Sequence, residues 1–158
     1  MSSVSQWIEP SSVHSNLGAT QCRGVIYELT GLIVRVIPHI DPNVLADLLE
    51  KRESLQSTAI LEGVAFPQAE VPGIDRPYLA LACSKNGVDF QSLDGLDTHL
   101  FIVIIVPQGS QKKIAQILAR LVRLVKKEKK KMRALVDLKE SDDLFQNFTS
   151  IEKALDHV

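Results

Sequence analysis

Leu100-Phe101-Ile102-Val103-Ile104-Ile105-Val106 is the longest apolar run in the chain, and its reading decides the fold. It is far too short to span a bilayer and suits a buried strand. Tyr78 to Cys83 is a second strand-like segment, set off by the turn signals Asn86-Gly87 and Asp94-Gly95. Helical patterns surround these strands. Val25, Leu29, Leu32, Ile33 and Val36 recur at helical spacing, and Pro38 ends that segment. Asp41-Pro42 reads as an N-cap with proline at the first helical position, opening a helix through Val44, Leu45, Leu48 and Leu49 toward Arg52. From Lys112 onward, Ile114, Ile117, Leu118, Leu121, Val122 and Val125 mark a long helix. Asp142 to Phe148 and Ile151 to Leu155 predict more helix at the end. Helices before, between and after strands imply an α/β sandwich with helices packed on a mixed sheet. No linker or internal repeat divides residues 1–158, so a single domain is expected.

Composition agrees with that frame and narrows the function classes. With 158 residues, 45% hydrophobic and 23% charged, the chain is long enough to bury a core without disulfide or metal staples. Met1 to Gly18 is polar and lacks the basic flank and apolar run of a signal peptide. Cys22 and Cys83 lie on separate elements without metal-ligand partners, so reduced thiols, a cytoplasmic location and no metal are expected. A net charge of −1 gives no prior for nucleic acid.

The candidate site centres on Ser57-Thr58-Ala59-Ile60-Leu61-Glu62-Gly63-Val64-Ala65-Phe66-Pro67-Gln68, preceded by Arg52-Glu53. Downstream stand Phe90-Gln91-Ser92-Leu93-Asp94-Gly95 and the apolar strand from His99 to Pro107. Together these segments resemble the enzyme IIA domains of the bacterial sugar phosphotransferase system, fructose/mannitol type, and within it the stand-alone nitrogen-regulatory branch. The family's loop reads approximately S-T-x-I-x-x-G-x-A-x-P-H, and Gln68 stands where that pattern has its histidine. The resemblance implies a three-layer sandwich, a mixed β-sheet flanked by helices. It implies that the residue at position 68 would accept a phosphoryl group, with Arg52, Ser57 and Thr58 around it. Counting without gaps from Pro107, the family's second active-site histidine falls on Ile114.

Gln68 cannot perform the family's reaction. A neutral imidazole offers an in-plane lone pair for attack on phosphorus. The amide nitrogen of glutamine has its lone pair delocalised into the carbonyl and serves only as a hydrogen-bond donor. Ala59 and Leu61 also stand at positions the family fills with glycine or a glycine-like residue. Two readings follow from the resemblance. One is a regulatory or interaction module that does not accept phosphate at the usual position, contacting an HPr-like phosphocarrier, a transporter or a sensor kinase. The other is a functional phosphocarrier, taking a phosphoryl group from HPr on another residue. Neither calls for a cofactor.

Lys126, Lys127, Lys129, Lys130, Lys131 and Arg133, opposed only by Glu128, concentrate positive charge after the long helix. Lys126, Lys127 and Lys130 are candidates for docking a protein partner; the alternative is a solvated surface at a helix C-terminus. No aromatic residues interleave to stack bases, which speaks against nucleic acid. His14, His39, His99 and His157 lack metal-ligand spacing and fit surface or strand-edge roles.

Overall fold

The computed structural model describes residues 3–157. After a short 3₁₀ turn come β1 (Ile8–His14), α1 (Cys22–Val36), α2 (Pro42–Leu55), β2 (Ala59–Leu61), β3 (Val64–Ala65) and β4 (Gln68–Val71). β5 (Tyr78–Val88), β6 (Thr98–Pro107), α3 (Gln111–Lys127), α4 (Lys129–Ala134), a second 3₁₀ turn and α5 (Ser141–Ala154) complete it. The strands form one sheet in the order β1-β5-β6-β3-β2, with β4 also on β6. β1 runs parallel to β5 and β6 antiparallel to β5, while β3 and β4 both run parallel to β6.

β6 is the axis of this sheet. Leu100, Ile102, Ile104 and Val106 face one layer, where Ile117, Leu121 and Leu124 of α3 and Leu144 and Phe148 of α5 cover them. Phe101, Val103 and Ile105 face the other, against Val25, Leu29, Leu32 and Ile33 of α1 and Leu45 and Leu49 of α2. The strand is therefore apolar throughout because both its faces are buried, and the three-layer sandwich follows. The second face is carpeted with small residues, Ala59, Ala65, Ala69, Ala80 and Ala82, which lets two helices approach it closely.

β3 and β4 are two halves of one strand. Val64 pairs with Leu100, Ala65 with Phe101 and Gln68 with Ile104, so the register on β6 is unchanged across Phe66-Pro67. Pro67 has no N–H to give, but its carbonyl accepts from Ile104 N at 2.8 Å and holds the alignment.

The helices follow the periodicity. Asp41 caps α2 by accepting from Asn43 N at 2.8 Å, with Pro42 in the first turn. One local reading differs, and two segments carried no secondary-structure expectation. Asn86-Gly87 is not a turn between strands; it lies inside β5, at an irregularity between Cys83 and Val88. Gly87 has φ +83°, and a Cβ there would sit 2.8 Å from the His99 ring, so glycine is required for both conformation and space. Ile8–His14 forms β1 although its sequence gives little strand signal, since its contact with the sheet rests on Ile8 and Val13. The basic segment forms α4, because Met132, 2% exposed, anchors it to the core.

One polar cluster closes the outer layer. Arg120 of α3 pairs with Glu152 of α5 and holds Asp156 bidentately at 2.8 and 2.9 Å. Glu152 also accepts from Ser5 N at 3.0 Å and Ser5 Oγ at 2.6 Å, tying the first 3₁₀ turn to the last helix. Side-chain exposure is 5% for Arg120 and 0% for Glu152. Removing one partner leaves a buried charge uncompensated.

Arg120→Ala is expected to cost about 3–5 kcal/mol of unfolding free energy, read by urea denaturation. Burial alone pushes the Glu152 carboxyl up, but its bonds from Ser3, Ser5 and Arg120 outweigh this and leave it below its ordinary value of 4.5. A depressed carboxyl contributes stability that is present above the unfolded value and lost as pH falls through the folded one. Melting temperature should therefore drop below about pH 4.5, and Glu152→Gln should flatten that part of the profile.

Candidate functional site

Strand alternation sets the site. Along β4, Ala69 and Val71 point into the core, so Gln68 and Glu70 emerge on the other side. There they line a cleft of about 470 Å³ with Leu48 and Arg52 of α2 and Gln111, Ile114, Ala115 and Leu118 of α3. Gln68 Nε2 donates to the Phe66 carbonyl at 3.1 Å. Arg52 Nη1 donates to the Gln56 carbonyl at 2.8 Å, closing the end of its own helix. Glu70 Oε1 accepts from Gly109 N at 2.8 Å. The cleft thus presents one guanidinium, one carboxylate, two neutral amides and an apolar wall.

Of the residues singled out by sequence, Arg52, Gln68 and Ile114 are brought together here. Ser57 and Thr58 are not among the cleft's lining residues. α2 ends at Leu55, Gln56 is extended, and the chain turns back beneath the helix toward β2. Thr58 N and Oγ1 donate to the two Glu53 carboxylate oxygens at 2.6 and 2.8 Å. Ser57 Oγ donates to the Phe90 carbonyl at 2.6 Å and accepts from Ala59 N at 3.1 Å. Ser57 lines a different cavity, of about 450 Å³, with Cys22, Glu50, Glu53 and Phe90. Burial pushes the Glu53 carboxyl above its ordinary value, partly offset by its bonds from Thr58. Both hydroxyls therefore serve the local chain.

Glu70 and Gln111 were not singled out by sequence. Glu70 carried a usable signal, since the residue two along from Gln68 on a strand shares its face. Gln111 reaches the cleft only through the packing of α3.

The basic segment divides. Lys126 and Lys127 border a shallow groove along the exposed side of α3, lined by Ala115, Leu118, Ala119, Val122 and Arg123. Ala115 and Leu118 also line the Gln68 cleft, so groove and cleft are continuous. Lys129 and Arg133 instead turn to Glu62, at 3.5 and 3.4 Å. Lys130 is exposed and lines neither the cleft nor the groove. Among the described residues no helix is long and apolar enough to cross a membrane, and no group of three or more His, Cys, Asp or Glu is placed to hold a metal ion.

This sandwich has the fold of solved phosphotransferase IIA structures. Residues 6–151 match the family described as "Phosphoenolpyruvate-dependent sugar phosphotransferase system, EIIA 2", and the chain belongs to that family. It is 29% identical over 125 residues to the fructose-specific EIIABC component of Bacillus subtilis, covering 79% of this chain and 20% of that protein. To the nitrogen regulatory protein of Pseudomonas aeruginosa it is 25% identical over 122 residues, covering 77% of this chain and 79% of the relative. The crystal structure of nitrogen regulatory protein IIA-Ntr from Neisseria meningitidis superposes with a TM-score of 0.77 at 21% identity, covering 94% of this chain and 97% of that one.

Thr58→Ala leaves a half-buried Glu53 carboxylate oxygen short of a donor and is expected to cost about 1 kcal/mol in urea denaturation. Backbone amide shifts of Gln68, Glu70 and Gln111 should stay in place, because the hydroxyl acts away from the cleft.

Proposed function

We propose that the protein is a regulatory member of this family, an interaction module held in the unphosphorylated form. The observation that carries the reading is the chemistry of the cleft: the side chain at the strand edge is Gln68, and the residues around it do not favour a phosphoryl dianion. Gln68 offers no nucleophilic lone pair. Ile114, across the cleft, has no proton to donate to a phosphoryl oxygen. The Glu70 carboxylate opposes the charge of Arg52, the one cation among the described residues that line the cleft, whereas phosphoryl transfer depends on positive charge gathered around the reacting group. A neutral glutamine presents one fixed surface, without the charge that switches a phosphorylated partner site.

The groove along α3 supplies the docking face in this reading. It runs on from the cleft, is apolar along Ala115, Leu118, Ala119 and Val122, and ends at Lys126 and Lys127. A partner with an apolar contact and an acidic rim fits it, and the candidates are an HPr-like phosphocarrier, a transporter or a sensor kinase.

The second reading, a phosphocarrier using another residue, has one observation in its favour. His99 lines a cavity beside Lys129 and Arg133, with Nδ1 against the Ser84 carbonyl at 3.0 Å. That contact places the hydrogen of the neutral ring on Nδ1 and leaves the lone pair on Nε2.

Incubation with phosphoenolpyruvate, enzyme I and HPr separates the two. The native chain should take no acid-labile radiolabel, while Gln68→His should take it. Adding Glu70→Gln to Gln68→His should speed labelling, because it removes the opposing carboxylate. Label on the native chain that is lost in His99→Gln would establish the second reading instead.

A further inference from the structure

A separate cavity of about 530 Å³ opens beside the start of β6, away from Gln68, which pairs with Ile104 further along that strand. Its floor is apolar: Val64, Leu100, Val125 and Met132 are each 4% exposed or less, and Val136 joins them. This volume lies within the range of small-molecule sites. Its rim is charged. The hairpin turn between β2 and β3 holds Glu62 at φ +56° and Gly63 at φ +73°, a left-handed pair that matches the twist of a two-residue hairpin. Glu62 N is tied to Asp94 Oδ2 at 3.1 Å.

From that fixed backbone the Glu62 carboxylate meets two cations one helical turn apart on α4, Lys129 Nζ at 3.5 Å and Arg133 Nη2 at 3.4 Å. Both distances are long for charge-assisted hydrogen bonds. Side-chain exposure of 55% for Lys129 and 74% for Arg133 makes these weak, displaceable contacts. Asp97 and Asp137 line the cavity as well. Lys85, the third lining cation, directs its ammonium to the Val136 and Leu138 carbonyls. Lys129 and Arg133 are thus the pair that converges on a single carboxylate.

We propose that this cavity binds a small amphiphilic carboxylate. Its apolar body lies over Val64, Leu100 and Met132, and its head group takes Lys129 and Arg133 in place of Glu62. Glu62 then acts as an internal competitor that closes the site when it is empty. The apolar floor selects for the body, the cation pair for the head, and neither depends on what the Gln68 cleft does.

The test is titration of octanoate into the methyl-labelled full chain, followed by NMR. Saturable shifts are expected at Val64, Leu100, Met132 and Val136. Glu62→Gln should tighten binding by about three- to tenfold by removing the competitor, and Lys129→Ala with Arg133→Ala should weaken it by tenfold or more. Lys126→Ala with Lys127→Ala should leave it unchanged. Octanoate that does not saturate would overturn the proposal. So would equal binding of 1-octanol, no response to Glu62→Gln, or shifts centred on Ala115, Leu118 and Val122 of the α3 groove.

Discussion

The pairing of β6 with β3 and β4 in one unbroken register is the constraint on which the rest depends. A parallel pair admits no tight turn and must be closed from a distance, and here Phe66-Pro67 interrupts the strand beside β6 without shifting it. The Pro67 carbonyl keeps its bond to Ile104 N where the missing N–H would have broken the ladder. Because the register survives, alternation sends Ala69 inward and Gln68 and Glu70 outward. The α2 and α3 layers on either side of the sheet then bring Arg52 and Ile114 to the same cleft. Every property of the site descends from that alignment.

The chain's charge is arranged around the same axis. Toward one end of β6 a guanidinium, Arg52, and a carboxylate, Glu70, line the cleft with Gln68. At the other, two cations of α4 share one carboxylate on a hairpin turn. What looks in sequence like one basic run is divided by Glu128, which breaks the helix between α3 and α4. Lys126 and Lys127 remain on the α3 groove, while Lys129 and Arg133 turn toward Glu62. The fold thus separates the groove along α3 from the cavity bordered by Glu62, Lys129 and Arg133.

Much of this was legible from residues alone, for stated reasons. Four helices followed from apolar spacing and from Asp41-Pro42, because burial of one face leaves a periodic trace. β6 followed from its continuous apolar run, since a strand covered on both faces has no polar side to alternate. β1 was not legible, because only Ile8 and Val13 dock it by apolar burial, and its third buried residue, Ser12, is a serine satisfied by the Glu9 and Leu79 carbonyls. Asn86-Gly87 carried a true signal for positive φ, but a bulge and a turn make the same demand, and only the His99 ring above Gly87 distinguishes them. At the site, Arg52, Gln68 and Ile114, which the resemblance singled out, line one cleft. Ser57 and Thr58 are drawn off by Phe90 and Glu53, through contacts that no linear pattern displays. The opposing Glu70 was within reach of strand alternation.

Whether the Gln68 cleft takes up a phosphoryl group is decided by a single-turnover phosphorus NMR measurement. HPr phosphorylated beforehand and freed of enzyme I would be mixed with a stoichiometric amount of the native chain. The phosphohistidine resonance is expected to stay on HPr and to decay at the rate seen for HPr alone. A second phosphoryl resonance bound to this chain, growing as the HPr signal falls, would contradict that expectation.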